Sequence, residues 1–420
     1  MRESPILLVP HLGKLVPGSD FSVQAAILTH KMTALIHDKE RNFTLARKLP
    51  AGYTYLGQFL AHELVPRPKL VTRSRKLDLD SLYGTNPVED GSSDRYIDWS
   101  TGRLRARLVS GYEVDLPRDE QGKVTIPEIR NDDQVILSQL HLLLIRFHNR
   151  LVDELESELS PLEKFELAKR GVWATLCRIV FEDYLPRICQ PNVFNAVFAE
   201  GRQFIAMPES DTLLPLELTH AALRFGHSQV RRSYKLNSAH AVVSLDSIFC
   251  QDQPIKEELV IDDWQRFFAD GSQTAAIIDL RIADGVAGSG PNIVDLNLQA
   301  GFRVGLCSAV ELVHAFHAED IGVVPEIHFS VERVKEKSIF ERHARIEELP
   351  IWPFVLLEAS ECESLGDRLG PLGSLLLCET LRNAVSEQDR MLLEQYQISV
   401  FHELAVLDSM SSLIDFVQGS

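Results

Sequence analysis

The longest regular pattern of apolar and polar positions runs from Arg130 to Leu155. Within it Val135, Ile136, Leu140, Leu143, Leu144, Phe147, Leu151 and Leu155 recur at steps of mostly three and four. That spacing predicts a helix with one buried stripe. No glycine or proline interrupts it, and at 3.6 residues per turn it makes about six to seven turns. Asn131, Asp132 and Asp133 stand at its start, where short polar side chains cap free N–H groups and negative charge suits the dipole. Arg130 precedes them and sets a fixed cation at the helix mouth. His141 and His148 fall inside the apolar face and read, by themselves, as core histidines with internal partners.

Shorter patterns fill the rest of the chain. Phe21–Ile36 reads as a helix. After Ala51, the residues Tyr55, Phe59 and His62 share a helical face, with Gln58 one turn before His62; Pro66 and Pro68 stop that helix. Between Ser74 and Gly84, Asp78 and Asp80 alternate with apolar residues. Carboxylates two apart in a loop suit a hard cation, and equally form turns. Residues 85–127 read as loops with a small hairpin around Leu104–Val114. A helical pattern over Pro161–Ile188 is ended by Pro186. Leu218, Ala222, Phe225 and Val230 outline another helix, in which Gly226 precedes His227. Glycine there costs about 1 kcal/mol against alanine, and close approach of a flat partner beside His227 is one reason to have it. Residues 261–270 predict a short helix. The Gly-rich loop at 283–292 lacks the Gly-Lys-Ser/Thr of a phosphate cradle. Helical material then runs from Ile293 to about residue 390, followed by an amphipathic helix and tail. With no internal repeat or linker, the expectation is a mostly α chain: an N-terminal segment (1–50) packed on one domain (51–390), and a C-terminal helix and tail (391–420).

Composition narrows the function. The chain has 420 residues, 45% of them hydrophobic and 25% charged, with a formal net charge of -17. Such acidity argues against a nucleic-acid surface. Six scattered cysteines show no C-x-x-C spacing, which argues against a zinc site and a dense disulfide framework. The N-terminus makes a poor signal peptide, and no apolar run approaches the roughly 18 residues of a membrane span. A cytoplasmic protein is expected.

Taken in order, four stretches resemble the peroxidase–cyclooxygenase superfamily of animal-type haem peroxidases, and within it the compact bacterial members. GQFLAHEL resembles the distal-histidine motif, LDLDSLYG the calcium loop, RNDDQVILSQLHLLLIRFHNRL the distal-arginine helix and LRFGHS the proximal-histidine motif. LNLQAG near residue 297 and LGDRLGPLGS near residue 370 add weaker support.

The resemblance implies haem b held between distal and proximal helices, with few short strands in the fold. It makes His227 the proximal iron ligand, with Asn297 holding the other ring nitrogen, and pairs Arg224 with a haem propionate. It gives His62 general acid–base work, Arg130 charge stabilisation, and Gln58 the orientation of water or a small anion. Calcium would be held by Glu63, Ser74, Asp78, Asp80 and the carbonyl of Lys76. Asp133 could form one ester bond to the haem, whereas Ala61 cannot form the other. Gln134 replaces a haem-linked methionine, Ala300 replaces an arginine, and Glu63 replaces the usual aspartate of the cation site. The implied activity is reduction of hydrogen peroxide with oxidation of small phenolic donors. Two alternatives stand beside it: a haem-binding protein with a biosynthetic or sensing role, and a fatty-acid dioxygenase. The latter would want a radical-bearing tyrosine where Arg224 stands.

Overall fold

Where the helices begin and end follows from local chemistry. The computed structural model describes residue 7 and residues 45–65, 76–87, 94–201, 204–205, 214–249, 253–283, 292–317, 331–334, 349–385 and 407–419. The helix expected at Phe21–Ile36, Ser74, residues 284–291 of the Gly-rich loop and residues 386–406 lie outside the described residues. Helices of eight or more residues among the described ones are α1 (Gly52–Leu64), α2 (Val135–Glu154), α3 (Pro161–Ile179), α4 (Pro191–Phe198), α5 (Ile293–Val304), α6 (Ala309–His317), α7 (Ile351–Glu361), α8 (Pro371–Ala384) and α9 (Met410–Gln418). The strands are short: β1 (Leu45–Pro50), β2 (Ile97–Asp98), β3 (Arg103–Leu104), β4 (Arg107–Val109), β5 (Tyr112–Asp115), β6 (Ser233–Tyr234), β7 (Val243–Ser244) and β8 (Thr274–Ala276). They form four two-stranded ladders, β1–β8, β2–β3, β4–β5 and β6–β7, all antiparallel. The fold is mostly α, as the sequence predicts.

The described chain groups into two compact units, each assembled from separated stretches. The first comprises Met1–Ala51, Leu185–Arg232 and Thr274–Asn383; the second comprises Gly52–Tyr184, Ser233–Gln273 and Ala384–Ser420.

The second unit is built on α2. Sixteen of its twenty residues are buried, not the single stripe expected, because α1, α3, α9, β3 and β5 all pack against it. A helix enclosed on all sides needs apolar residues all round. Leu140, Leu143 and Phe147 are fully buried, so truncating any of them to alanine should cost about 2–5 kcal/mol. The start of α2 also differs from expectation. Gln134 is its N-cap, accepting from the Ile136 amide at 2.8 Å. Asn131 and Asp132 belong instead to a separate 3₁₀ turn, Ile129–Asp132, and their side chains are used elsewhere. Arg118 fixes that turn: its guanidinium donates twice to Asp132 (2.7 and 2.8 Å) and to Asp115 (2.9 Å).

Downstream, Ser160 and Glu163 form a reciprocal capping box at the start of α3. The helical stretch expected to Ile188 is present: α3 ends at Ile179 and Leu185–Ile188 is again α-helical, with a five-residue π turn, Val180–Tyr184, between them. That turn aims the Asp183 carboxylate at the Tyr53 hydroxyl (2.6 Å) and the Met410 amide (2.9 Å). It also lays the Tyr184 hydroxyl on α1. A Cβ at Gly57 would stand 2.6 Å from that oxygen, which explains a glycine inside the helix. The expected hairpin is β4–β5, turned at Ser110 and Gly111, both with positive φ.

In the first unit, β1 pairs with β8, and α7 packs on a 3₁₀ turn, Ala222–Gln229. The single helix expected around residue 225 is in fact two short pieces, Leu216–Thr219 and Ala222–Gln229. Buried Glu358 accepts from the Leu372 and Gly373 amides at the start of α8. A Cβ at Gly370 would lie 2.3 Å from that side chain, which gives the LGDRLGPLGS stretch a packing reason.

Candidate active site

Two sets of side chains carry the expected chemistry, one in each unit. In the second unit α1 and the Ile129–Asp132 turn bring His62, Arg130 and Asn131 together. His62 Nδ1 lies 2.9 Å from Asn131 Oδ1. Arg130 Nη2 donates to the carbonyls of His62 (3.0 Å) and Val65 (2.9 Å), closing the C-terminal end of α1. The same guanidinium embraces Glu128 through Nε (3.0 Å) and Nη2 (2.8 Å). Glu128 is fully buried, so the Arg130 charge is balanced and its fork is pre-oriented. Gln58 sits one turn before His62 and accepts from the Gln134 amide at 3.3 Å. Asp133 is exposed at the end of the turn.

Behind His62 the contacts continue inward. The Asn131 amide reaches His141 Nδ1 through Nδ2 at 3.0 Å, and His141 Nε2 meets the Tyr96 hydroxyl at 3.1 Å. Burial pushes His141 down to about 3, so this imidazole is neutral. His148, two turns further along α2, has partners of its own: the Tyr83 hydroxyl at Nδ1 and the Gly102 carbonyl at Nε2, both at 3.0 Å. Both histidines are thus core residues with internal partners, as the apolar pattern suggests.

In the first unit His227 lies on the Ala222–Gln229 turn, half-buried, with its Nδ1 2.8 Å from Asn297 Nδ2 on α5. The expected His227–Asn297 pair is present, with one correction. Arg224 Nη1 donates to Asn297 Oδ1 at 2.7 Å, and a guanidinium has no acceptor. The amide oxygen is therefore committed to Arg224, and the NH₂ faces the ring. Arg224 also donates to the Thr219 carbonyl, and Trp352 donates to its carbonyl. Burial works against the Arg224 charge, and among the described residues no carboxylate pairs with it. Beside it, a Cβ built on Gly226 meets no atom of the described residues within 4 Å. A half-buried imidazole, a cation that no described carboxylate pairs and a space the described residues do not fill are what a haem with propionates needs, so these residues fit the group.

The expected cation site fares differently. The Glu63 carboxylate accepts from the Asp80 amide (2.9 Å) and the Ser81 amide (2.8 Å), serving as the cap that Leu79 cannot supply for the short helix Asp80–Tyr83. Burial and the neighbouring Asp78 push its carboxyl up to about 8, which favours a proton on it. Among the described residues no cluster of three or more His, Cys, Asp or Glu could hold a metal. Ser74 lies outside the described residues, and the described members, Glu63, Lys76, Asp78 and Asp80, do not by themselves fit calcium.

Sequence reasoning missed Glu128, Asn131 as a partner of His62, and Tyr96. Glu128 two residues before Arg130 was the one visible signal; the others depend on tertiary contacts.

The sequence profile of the animal haem peroxidase family matches residues 30–409. Heme peroxidase 2 of Caenorhabditis elegans is 23% identical over 368 residues, covering 78% of this chain and 49% of that protein. A peroxidase-like protein of Margaritifera margaritifera is 37% identical over 185 residues, 40% of this chain and 22% of its own. The chain thus spans half or less of the curated relatives it matches. Among solved structures, Peroxidase A from Dictyostelium discoideum superposes with a TM-score of 0.67 at 14% identity, over 98% of this chain and 94% of that one. An Oryza sativa fatty acid alpha-dioxygenase gives 0.69 at 13% identity, over 94% and 80%. At these identities the likeness is one of fold. No described helix is long and apolar enough to cross a membrane. With the profile covering most of its length, the chain belongs to the animal haem peroxidase family.

Proposed function

We propose that the chain is a haem peroxidase that reduces hydrogen peroxide and oxidises small phenolic-type donors. The observation that carries this reading is the arrangement of His62, whose Nδ1 is engaged by Asn131 at 2.9 Å while Arg130 holds its carbonyl at 3.0 Å. An imidazole so held presents Nε2 to take a proton from peroxide and return it to the departing oxygen. Arg130, already paired with Glu128, keeps α1 and its histidine in place and adds a preorganised dipole at the site of charge development. Gln58 orients the incoming water or peroxide.

Haem, when bound, supplies the redox chemistry that divides the O–O bond. His227 would hold its iron and Arg224 a propionate. Ligation through Nε2 calls for the Asn297 oxygen at Nδ1, and an anionic partner for Arg224 would release that oxygen. Asp133 offers one carboxylate for an ester bond, which extraction of haem under denaturing conditions tests directly. Lack of a described cation cluster leaves calcium without support.

The test is His62→Ala in haem-loaded protein. It should keep the haem spectrum and react with peroxide ~10²–10⁴-fold more slowly. A wild-type protein that takes up haem but oxidises no phenolic donor would sink the reading and favour a binding or sensing role. Oxygen uptake with a fatty acid would redirect it to dioxygenation.

A further inference from the structure

We infer that Asn131 and His141 are positioning residues for His62, holding its imidazole in the Nδ1–H tautomer through the chain Tyr96–His141–Asn131–His62. The effect on rate rests on the peroxidase reading; the tautomer itself does not.

The placement of the Asn131 oxygen at His62 and its nitrogen at His141 gives each member one role. An amide offers one acceptor oxygen and one donor nitrogen. Asn131 Oδ1 faces His62 Nδ1 and its Nδ2 faces His141 Nδ1. A neutral His141 accepts at Nδ1 and donates from Nε2 to the Tyr96 oxygen. Each contact of the chain then pairs one donor with one acceptor, and His62 carries its proton on Nδ1, which makes Nε2 the accepting atom. Flipping the amide would reverse every donor in the chain and leave His62 protonated at Nε2, which histidine ¹⁵N shifts distinguish. Asn131 is fully buried, and its backbone amide donates to the Glu128 carbonyl at 3.0 Å. The rings of Phe59 and Tyr96 pack against His141 with centroids 6.2 and 6.3 Å away. His148 supplies an internal contrast. It sits on the same helix, is equally buried and has an equivalent tyrosine, yet its far nitrogen ends on the Gly102 carbonyl. That second chain closes on the backbone; the His141 chain ends on a half-buried imidazole.

The experiment is ¹⁵N NMR of haem-free protein labelled at histidine, recorded near pH 8, above the ordinary histidine range, with His62→Gln identifying the His62 signals. Wild type should show His62 protonated at Nδ1. Asn131→Leu should lose that pattern, and Asn131→Asp should restore it, because a carboxylate also accepts from Nδ1. His148→Gln should leave it unchanged. In haem-loaded protein Asn131→Leu should slow the reaction with peroxide roughly ten- to a hundredfold, a share of the general acid–base contribution. Asn131→Asp should recover it at unchanged haem affinity. Wild-type His62 protonated at Nε2, or an Asn131→Leu protein that keeps the Nδ1 proton, overturns the inference. Should Asn131→Leu fail to fold, the wild-type and Asn131→Asp spectra decide alone. A correct tautomer with a peroxide-competent His62→Ala overturns the peroxidase reading and leaves this inference standing; a wrong tautomer with an impaired His62→Ala does the reverse.

Discussion

The two units each contain a half-buried histidine whose Nδ1 meets an asparagine at hydrogen-bond distance, and the two amides point opposite ways. At His62 the oxygen of Asn131 faces the ring; at His227 the nitrogen of Asn297 does. The residue at the far end of each amide makes the difference. His141, neutral and buried, accepts from Nδ2 and so turns the oxygen toward His62. Arg224 can only donate, so it takes the oxygen and turns the NH₂ toward His227. Identical His–Asn pairs thus present opposite tautomers, and a third residue decides which. A general base needs an unprotonated Nε2 at rest, and His62 has the arrangement for it. His227 would reach the same state if an anion drew Arg224 away from the Asn297 oxygen.

The largest effect should come from breaking the support of the first pair. Arg118 is 3% exposed and bridges Asp115 and Asp132, themselves 0% and 4% exposed. Arg118→Met leaves two buried carboxylates without their cation. Urea denaturation should show a loss of about 3–5 kcal/mol, and an unchanged midpoint would mean that the turn carrying Arg130 and Asn131 is held by something else. Next, Arg224→Leu should invert the second pair. With its donor gone, the Asn297 oxygen is expected to turn to His227, moving the ring proton from Nε2 to Nδ1. Histidine ¹⁵N shifts of the haem-free protein read this directly, and no change would refute the role assigned to Arg224.

A smaller effect separates buried from half-buried histidines by pH. Burial holds His141 at about 3 and His148 at about 4, against ~6.5 for an unfolded histidine. Between those values the unfolded chain binds protons that the native chain refuses. Their contribution is therefore full above about pH 6.5 and is lost as pH falls to about 4 for His148 and about 3 for His141. His141→Phe should flatten the slope of stability against pH in that window by about one proton. An unaltered slope would show that His141 is not buried neutral.

Much of this was legible in the sequence, and the limits are instructive. The 3.6-residue period of α2, the helix of His62, the hairpin at residues 107–115 and the mostly α class all follow from local spacing. Expected partners such as His227 with Asn297 are present because motif order carries them. What local spacing could not supply was the polarity of that contact, which depends on Arg224, or the use of Asn131. Short polar residues before a helix read as caps, and only tertiary structure shows Gln134 capping while Asn131 reaches His62. The π turn at Val180–Tyr184 was likewise invisible, since its five residues continue the apolar pattern of α3.

The central claim is that His227 is the residue through which this chain holds haem. Titrating haem into the haem-free protein while recording the visible absorption spectrum tests it most directly. The account predicts saturating, one-to-one uptake by wild type and by His62→Ala, loss of the ligated spectrum in His227→Gly, and its return on adding imidazole. A wild-type chain that takes up no haem, or a His227→Gly chain with the wild-type spectrum and no imidazole, would contradict it.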